Sequence, residues 1–270
     1  MSTAVEIAES RPSGAMYAGR PWVLLERGWL AFRSSTWVPI FTGFLEPVLF
    51  LLAFGYGMGN LIGNVKTGST TIDYTMFIAP GLLATSAMNG AIYDSTWNVF
   101  WKLNESKLYK TMLSTPLGPM DIALGEITWA LLRGLVYSIG FLTVVTALGL
   151  TPSAWAILAI PAASLVAFGF ASFGMAITSF FKTYQQMGFI NVVLLPMNLF
   201  SGSLYPISVY PDWLEKVIMA LPLWHGIALV RAFWFGDINS GVLVHITYFA
   251  VMIAAGLFVT SRRLRALFLR

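Results

Sequence analysis

Six long apolar runs constrain the fold of this chain more than any other feature. They lie at about 38–59, 74–99, 122–149, 153–181, 187–204 and 242–261, and the fifth, which is the shortest, contains Pro196. A helix needs about 20 consecutive apolar residues to cross the hydrocarbon core of a bilayer. The runs therefore predict an all-α integral membrane protein with six transmembrane helices.

The composition agrees with this class and excludes several others. Hydrophobic residues make up 57% of the 270 residues and charged residues only 10%, whereas soluble proteins carry about a quarter charged residues. The chain has no cysteine, which excludes disulfides and thiolate metal sites. Its basic residues flank the apolar runs, so we expect the lipid bilayer as a partner and no nucleic acid.

Lysine and arginine are distributed unequally between the connections. If the six runs cross in alternation, Lys66, Lys216 and Arg231 fall on one side, and Arg133 lies inside the third run. Cytoplasmic connections are enriched in basic residues, so both termini are predicted to be cytoplasmic. The basic residues on their side are Arg11, Arg20, Arg27, Arg33, Lys102, Lys107, Lys110, Lys182, Arg262, Arg263, Arg265 and Arg270.

Residues 1–36 precede the transmembrane domain, 37–270, and contain a pattern of their own. Within about 17–34, Pro21 suits a first helical turn, and the charged side chains lie away from an apolar stripe. The pattern predicts an amphipathic helix on the cytoplasmic membrane surface, with aromatic rings at the interface; the alternative is a charged leader. The stripe consists of Trp22, Leu25, Trp29 and Phe32.

The segment Tyr205–Gly241 is too apolar for a solvated loop and too interrupted for a straight span. Three prolines break it, and three charged residues lie near its beginning. It predicts a re-entrant hairpin of two half-helices, which is tolerated where protein or water surrounds the bend. We expect His225 to satisfy a backbone carbonyl at this bend. The candidate gate residues are Tyr205, Pro206, Pro222, Trp224 and His225.

Four charged residues, Glu46, Asp94, Glu126 and Arg133, lie within the apolar runs. A charge at the centre of a spanning helix costs about 2.5–3.5 kcal/mol on insertion scales, so each needs a partner or a function. Asp94 and Glu126 are near predicted cytoplasmic helix ends, where their side chains can reach the interface. Glu126 and Arg133 are two helical turns apart, which is too far for a direct pair.

The sequence carries no recognisable catalytic or nucleotide-binding motif. No glycine is followed by lysine, so a G-x-x-x-x-G-K-[ST] phosphate-binding loop is absent, and so is a G-x-S-x-G nucleophile motif. His225 and His245 are the only histidines, too few for a metal site by themselves. We therefore expect a chain that is not an enzyme by itself and holds neither a metal nor a cofactor.

Three segments carry a family likeness. The first is the basic stretch Lys102–Asp121, which closes on Thr115-Pro116-Leu117; the second is Phe200-Ser-Gly-Ser-Leu-Tyr-Pro206; the third runs from Pro222-Leu-Trp-His225 to Arg231-Ala-Phe233. In this order and spacing they resemble the ABC-2 type exporter permeases, particularly the branch with the nodulation-factor and daunorubicin exporter permeases. Trp224 departs from the small hydroxyl residue expected before the histidine.

The resemblance implies a type V exporter fold and a defined set of partners. The permease would pair with a second copy or a related permease in the cell membrane of a prokaryote. It would bind two copies of a cytosolic ATPase subunit, which holds the ATP and Mg²⁺. The loop 100–121 would be the coupling helix, and Tyr205–Gly241 the outer hairpin. The coupling residues would be Lys102, Leu103, Glu105, Lys107, Leu108, Tyr109, Lys110 and Met112.

Three functions remain open from the sequence. The first is outward transport of an amphipathic drug-like or glycolipid molecule, such as a lipo-oligosaccharide, driven by the separate ATPase. The second is export of a polysaccharide or teichoic acid by the same kind of permease. The third is a proton-coupled carrier or channel that uses Glu46, Asp94 and Arg133. A co-purifying ATPase would separate the first two from the third.

Overall fold

The computed structural model describes residues 17–33, 45–67 and 70–268, and these are almost entirely helical. A two-stranded antiparallel hairpin, β1 (Asn64–Thr67) and β2 (Thr70–Asp73), joins α2 to α3. The helices are α1 (Trp22–Arg33), α2 (Leu45–Ile62), α3 (Tyr74–Glu105), α4 (Leu108–Leu113), α5 (Pro119–Ala147), α6 (Ala154–Thr178), α7 (Gly188–Phe200), α8 (Asp212–Ala220), α9 (Pro222–Phe235) and α10 (Gly241–Phe268).

The helix lengths make this a multi-pass membrane protein, in agreement with the predicted fold class. Five helices, α2, α3, α5, α6 and α10, are long and apolar enough to cross a bilayer. The pair α8 and α9 supplies a sixth if it is counted as one span, and its two halves are bent by 82°. The predicted re-entrant hairpin corresponds to this bent pair.

The predicted fifth span, 187–204, is shorter in the structure than the sequence indicated. Its α-helix, α7, has 13 residues and follows a 3₁₀ turn at Tyr184–Met187. Beyond Phe200 the chain leaves helical conformation, because Gly202 adopts a left-handed φ of 78°. At 1.5 Å per residue α7 alone is about 20 Å long, less than the thickness of a hydrocarbon core.

The spans alternate in direction and give the bundle two distinct ends. At the hairpin end, defined by residues 64–73, Leu150 and 201–240, Trp234 Nε1 donates to the Leu150 carbonyl at 3.3 Å. At the basic end, defined by 17–33, 102–121, 179–182 and 261–265, Ser261 of α10 contacts Met120 of α5. All candidate residues for coupling lie at the basic end, and all candidate gate residues lie at the hairpin end.

The central helix of the bundle is α6, and small residues let its neighbours approach closely. A Cβ added at Gly256 of α10 would lie 2.6 Å from the Ser172 carbonyl carbon, and one at Gly174 would lie 2.2 Å from Ser95 Oγ of α3. In a bilayer, helices associate through such close packing because lipid provides no hydrophobic drive between them. The bundle is therefore built around α6.

Two features of the second span were missed from the sequence. α3 continues to Glu105, past its predicted end at 99 and into the predicted coupling loop 100–121. It also contains π-helical segments at Asp94–Asn98 and Trp101–Glu105. Such segments are rare and often mark functional positions, since each rotates the side chains that follow it. Here they carry Asp94 and Lys102.

Candidate functional site

The short helix α4 lies in the segment that the sequence assigned to coupling. It begins after Lys107, whose backbone is left-handed with φ 49°, and it ends at Leu113. Glu105, Lys107 and Lys110 are exposed, together with Thr111 and Ser114. This face is charged and polar, and it is free to meet a soluble partner by ion pairs and hydrogen bonds.

The apolar residues of this segment do not face outward, which corrects one prediction. Leu103, Tyr109 and Met112, predicted to anchor in a partner's groove, are buried in the protein's own core, and Leu108 is half-buried. Burial raises the pKa of the Tyr109 hydroxyl well above its ordinary value, and the Glu126 carboxylate adds to this. A buried, neutral Tyr109 instead fixes α4 to the bundle.

Lys102 is also unavailable to a partner, because it forms an ion pair with Glu126 of α5. Lys102 was expected to contact the ATPase, and Glu126 to reach the membrane interface. The Glu126 side chain is only 9% exposed, so its charge is balanced within the protein. This pair joins the last π-helical turn of α3 to the first third of α5.

A second ion pair between the same helices joins Asp94 of α3 to Arg133 of α5. Asn98 Nδ2 also donates to Asp94 Oδ1 at 2.8 Å. The two pairs border a cavity of about 180 Å³ between α3 and α5. Of the four intramembrane charges, three therefore have partners; Glu46 is exposed at the start of α2 and forms no ion pair with any residue the structure describes.

Asp121 connects the interface helix to α5 and was not singled out from the sequence. Its Oδ2 accepts from the backbone N–H groups of Ala18 at 2.7 Å and Gly118 at 2.8 Å, and its Oδ1 accepts from that of Arg20 at 2.8 Å. The side chain is completely buried. An acidic residue in the first helical turn, after Pro119 at the first helical position, is the helix-start signal that sequence reasoning could have used.

α1 crosses the beginning of α5 through a face that the predicted stripe did not include. Leu24 is buried against Gly125, where an added Cβ would lie 2.6 Å from Leu24 Cβ, and Gly28 packs on Trp129 with a corresponding distance of 2.6 Å. The predicted stripe points largely away from the protein: Trp22 is 57% and Trp29 54% exposed, while Leu25 and Phe32 are partly buried. Exposed indole rings suit the bilayer interface.

At the hairpin end, His225 of α9 meets His245 of α10 with 2.8 Å between their Nδ1 atoms. One ring must donate and the other accept. The His225 ring also stacks on Tyr248 at 4.2 Å between centroids, and Trp224 packs edge-on against both histidines. Among the described residues the partner of the His225 side chain is therefore His245, in place of the expected backbone carbonyl.

The remaining gate candidates define the bend and the turn before it. Pro222 begins α9 directly after Leu221, where the axes of α8 and α9 diverge by 82°. Pro206 precedes a 3₁₀ turn at Ile207–Val209, and Tyr205 beside it is 42% exposed. These residues shape the backbone at the hairpin end, and none of them closes an opening by itself.

Arg231 of α9 ties the second and third sequence motifs together. Its Nη2 donates to the Gly202 carbonyl at 3.2 Å, and its guanidinium lies 4.3 Å from the centre of the Phe77 ring. The backbone at Ser203 is in turn packed against Gly81 of α3, where a Cβ would lie 2.8 Å from the Ser203 carbonyl oxygen. The sequence analysis counted Arg231 only as a topological charge.

No group of three or more histidine, cysteine, aspartate or glutamate side chains that could hold a metal ion occurs within 17–33, 45–67 and 70–268. The chemistry of the described residues is that of helix contacts, ion pairs and aromatic packing. Contacts of these kinds couple the movements of neighbouring helices and limit them.

Comparisons with known proteins place these features in a family. The ABC-2 type transporter family matches residues 21–235. The chain is 29% identical over 254 residues to Nodulation protein J of Rhizobium leguminosarum bv. viciae, covering 93% of this chain and 96% of that protein. It is 31% identical over 245 residues to Nodulation protein J of Sinorhizobium fredii, covering 88% and 92%. It is 24% identical over 237 residues to the inner membrane transport permease YadH of Escherichia coli, covering 86% and 90%.

Proposed function

Because this chain belongs to the ABC-2 type transporter family, as the resemblance of its three motifs indicated, we propose that it is the permease subunit of an exporter driven by a separate cytosolic ATPase. The observation that carries the proposal is α4 with the residues just before it: Glu105, Lys107 and Lys110 are exposed, and Tyr109 is buried. Such a helix is accessible to a soluble partner on one face and fixed to the spans on the other. ATP and Mg²⁺ are bound by that partner.

Movement of α4 reaches the spans through defined contacts. α4 follows α3 directly, and the pairs Lys102–Glu126 and Asp94–Arg133 join α3 to α5. Asp121 extends the connection to α1 through its bonds to Ala18 and Arg20. When the ATPase subunits close, the basic end moves as one unit that comprises α1, α3, α4 and α5. The spans transmit this movement to the hairpin end.

The basic end is cytoplasmic in this proposal, in the inner membrane of a prokaryote. The support is the excess of lysine and arginine at that end and the similarity to an inner membrane permease. The chain has no native cysteine, so single cysteines report topology without background. A cysteine at Asp212 should be labelled by an impermeant maleimide in intact cells, and one at Ser106 should not; the reverse labelling contradicts the orientation.

A second permease copy, or a related permease, covers α7 in this proposal. α7 exposes Asn191 together with the apolar residues Val192 and Leu195. An amide facing lipid is costly, so a polar residue in a span generally faces protein or a wet cavity. This exposure favours a protein partner at α7 over lipid alone.

The cargo in this proposal is an amphipathic drug-like or glycolipid molecule, such as a lipo-oligosaccharide. Its support is an apolar groove of about 900 Å³ between α6, α7 and α10, whose walls include Phe173, Phe189 and Val251. A groove of this kind accommodates an acyl chain or other apolar body. Export of a polysaccharide or teichoic acid is the second candidate. The mutual pairing of Asp94 and Arg133 weighs against a proton carrier.

The proposal is tested by purifying the affinity-tagged chain from its native membranes and identifying co-purifying proteins by mass spectrometry. We expect a subunit with a G-x-x-x-x-G-K-[ST] loop in amounts comparable to the permease. A tagged, unrelated multi-pass protein from the same membranes serves as the control. Recovery of the chain in a functional state with no such subunit contradicts the proposed function.

A further inference from the structure

A cavity of about 730 Å³ lies at the hairpin end, away from the basic end and its coupling helix. One wall is a single face of α9, because Trp224, Ile227 and Arg231 recur at spacings of three and four. The other walls come from Ile72 of β2, from the turn after α7, and from the start of α10. Its volume is within the range of small-molecule binding sites.

Arg231 is a cation in this cavity without a counter-ion. It forms no ion pair with any carboxylate among residues 17–33, 45–67 and 70–268, and its Nε is buried without a hydrogen-bond partner. Its single hydrogen bond in this region goes to the Gly202 carbonyl. An arginine offers five N–H donors, so most of its donors remain without a protein partner. The Phe77 ring lies against the guanidinium, but no carboxylate balances the charge, and burying a charge without one is costly.

The surroundings of Arg231 combine apolar walls with a few polar groups. Trp224 and Phe235 supply aromatic surface, whereas His245 lines the cavity with its Nδ1 already engaged by His225. Asp237 also borders the cavity, but it is exposed, so water screens its repulsion of an anion. The site therefore offers one strong donor group next to aromatic surface.

We propose that this cavity binds an amphipathic anion, with a carboxylate, phosphate or sulfate group on Arg231 and an apolar portion against Trp224 and Phe235. A guanidinium matches the geometry of such oxyanions and binds them with two parallel hydrogen bonds. The oxyanion can belong to a lipid headgroup or to the transported molecule. If the oxyanion belongs to the transported molecule, the cavity is a substrate subsite, and that part rests on the proposed function. Binding of an amphipathic anion by the cavity does not depend on the proposed function.

The test measures binding by the full-length protein in phosphatidylcholine nanodiscs without ATP. Dodecyl phosphate is titrated by calorimetry, and uncharged dodecyl maltoside is the matched probe. We expect dodecyl phosphate to bind and dodecyl maltoside not to. Arg231→Gln should weaken binding by about tenfold or more, since hydrogen bonds to a charged group are lost, and Arg231→Lys should have a smaller effect.

Two further variants separate binding from folding. Ala228→Trp fills the cavity without changing Arg231 and should also abolish binding. Lys216→Gln removes an exposed charge from α8, at the same end of the protein, and should leave binding unchanged. Folded Arg231→Gln and Ala228→Trp proteins that bind dodecyl phosphate as tightly as wild type overturn the proposal.

The source of the anion is distinguished by competition. If phosphatidylglycerol nanodiscs prevent dodecyl phosphate from binding, the site is confirmed with a lipid headgroup as its occupant. If they do not, the site still binds an amphipathic anion and phosphatidylglycerol is excluded as its occupant; under the proposed function its ligand is then the transported amphiphile. Because no ATPase is present, failure of this test leaves the proposed function standing, and a missing ATPase leaves this site standing.

Discussion

The carboxylate of Asp121 accepts a hydrogen bond from the backbone N–H of Arg20 at 2.8 Å, so a residue in the first turn of α5 also holds the segment just before α1. With the bond from Ala18, this makes two contacts between segments about 100 residues apart in sequence. Asp121 is completely buried, which shields both bonds from water. α1 is therefore positioned by this side chain as well as by its packing on α5.

Replacing Asp121 by alanine should release the start of α1. Three backbone donors lose a charged acceptor, and hydrogen bonds to charged groups contribute about 1.5–3 kcal/mol each. We expect faster hydrogen exchange across residues 17–33, with normal membrane insertion and reduced ATPase coupling. Asp212→Ala, at the exposed start of α8, is the control. Unchanged exchange in Asp121→Ala shows that the packing of Leu24 and Gly28 on α5 holds α1 without Asp121.

The pair Asp94–Arg133 should behave as a coupled unit in unfolding. Asp94→Asn and Arg133→Gln each leave one charge without a partner between α3 and α5, so each single variant should lower the thermal unfolding temperature. The double variant should lose less than the sum, by a coupling energy of about 0.5–3 kcal/mol. Thermal unfolding in a single detergent measures this double-mutant cycle. If the effects of the two single variants simply add, Asp94 and Arg133 do not interact.

The bond between His225 and His245 should matter for the stability of the hairpin end. His225→Leu removes the partner of His245 Nδ1 and the stacking on Tyr248, so we expect a lower yield of folded protein and a lower unfolding temperature. His225→Asn retains a side-chain donor and acceptor and should be affected less. If both variants unfold alike and at the wild-type temperature, the histidine contact has no structural role.

Five long apolar helices, the helix at 22–33 and the bent pair at 212–235 could be predicted because each depends on local patterns. Apolar length, an amphipathic stripe and prolines are visible without knowledge of neighbours. The β-hairpin at 64–73 and the extension of α3 to Glu105 could not. The strands of the β-hairpin are only four residues long. By composition, Lys102 predicts a loop unless its ion pair with Glu126 is known.

The candidate site was predicted in its location more than in its contacts. The coupling segment contains the expected exposed charges, but burial of Leu103, Tyr109 and Met112 depends on which face of α4 meets the bundle. Likewise Asp94 and Arg133 are 39 positions apart, and no spacing rule relates residues on different helices. Asp121 was missed although a proline at the first helical position and an acidic residue in the first turn mark a helix start in the sequence.

Charge reversal on the exposed face of α4 should weaken contact with the ATPase. Lys107→Glu combined with Lys110→Glu replaces two exposed cations, and a double change is needed because single rim charges contribute little. We expect less ATPase to co-purify, while membrane insertion remains normal. The control reverses Lys182 and Arg262, two exposed cations elsewhere at the basic end. If equal amounts of ATPase co-purify with both double variants, the α4 charges set only the orientation of the chain in the membrane and do not contact the ATPase.

The rate of ATP hydrolysis decides whether this permease depends on a separate ATPase. It is measured on the purified chain alone and on the complex that co-purifies with it, at equal amounts of permease. The proposed function predicts no hydrolysis by the chain alone and steady hydrolysis by the complex that requires Mg²⁺. Hydrolysis by the isolated, verified-pure chain, or a functional permease with which no ATPase activity is ever associated, contradicts it.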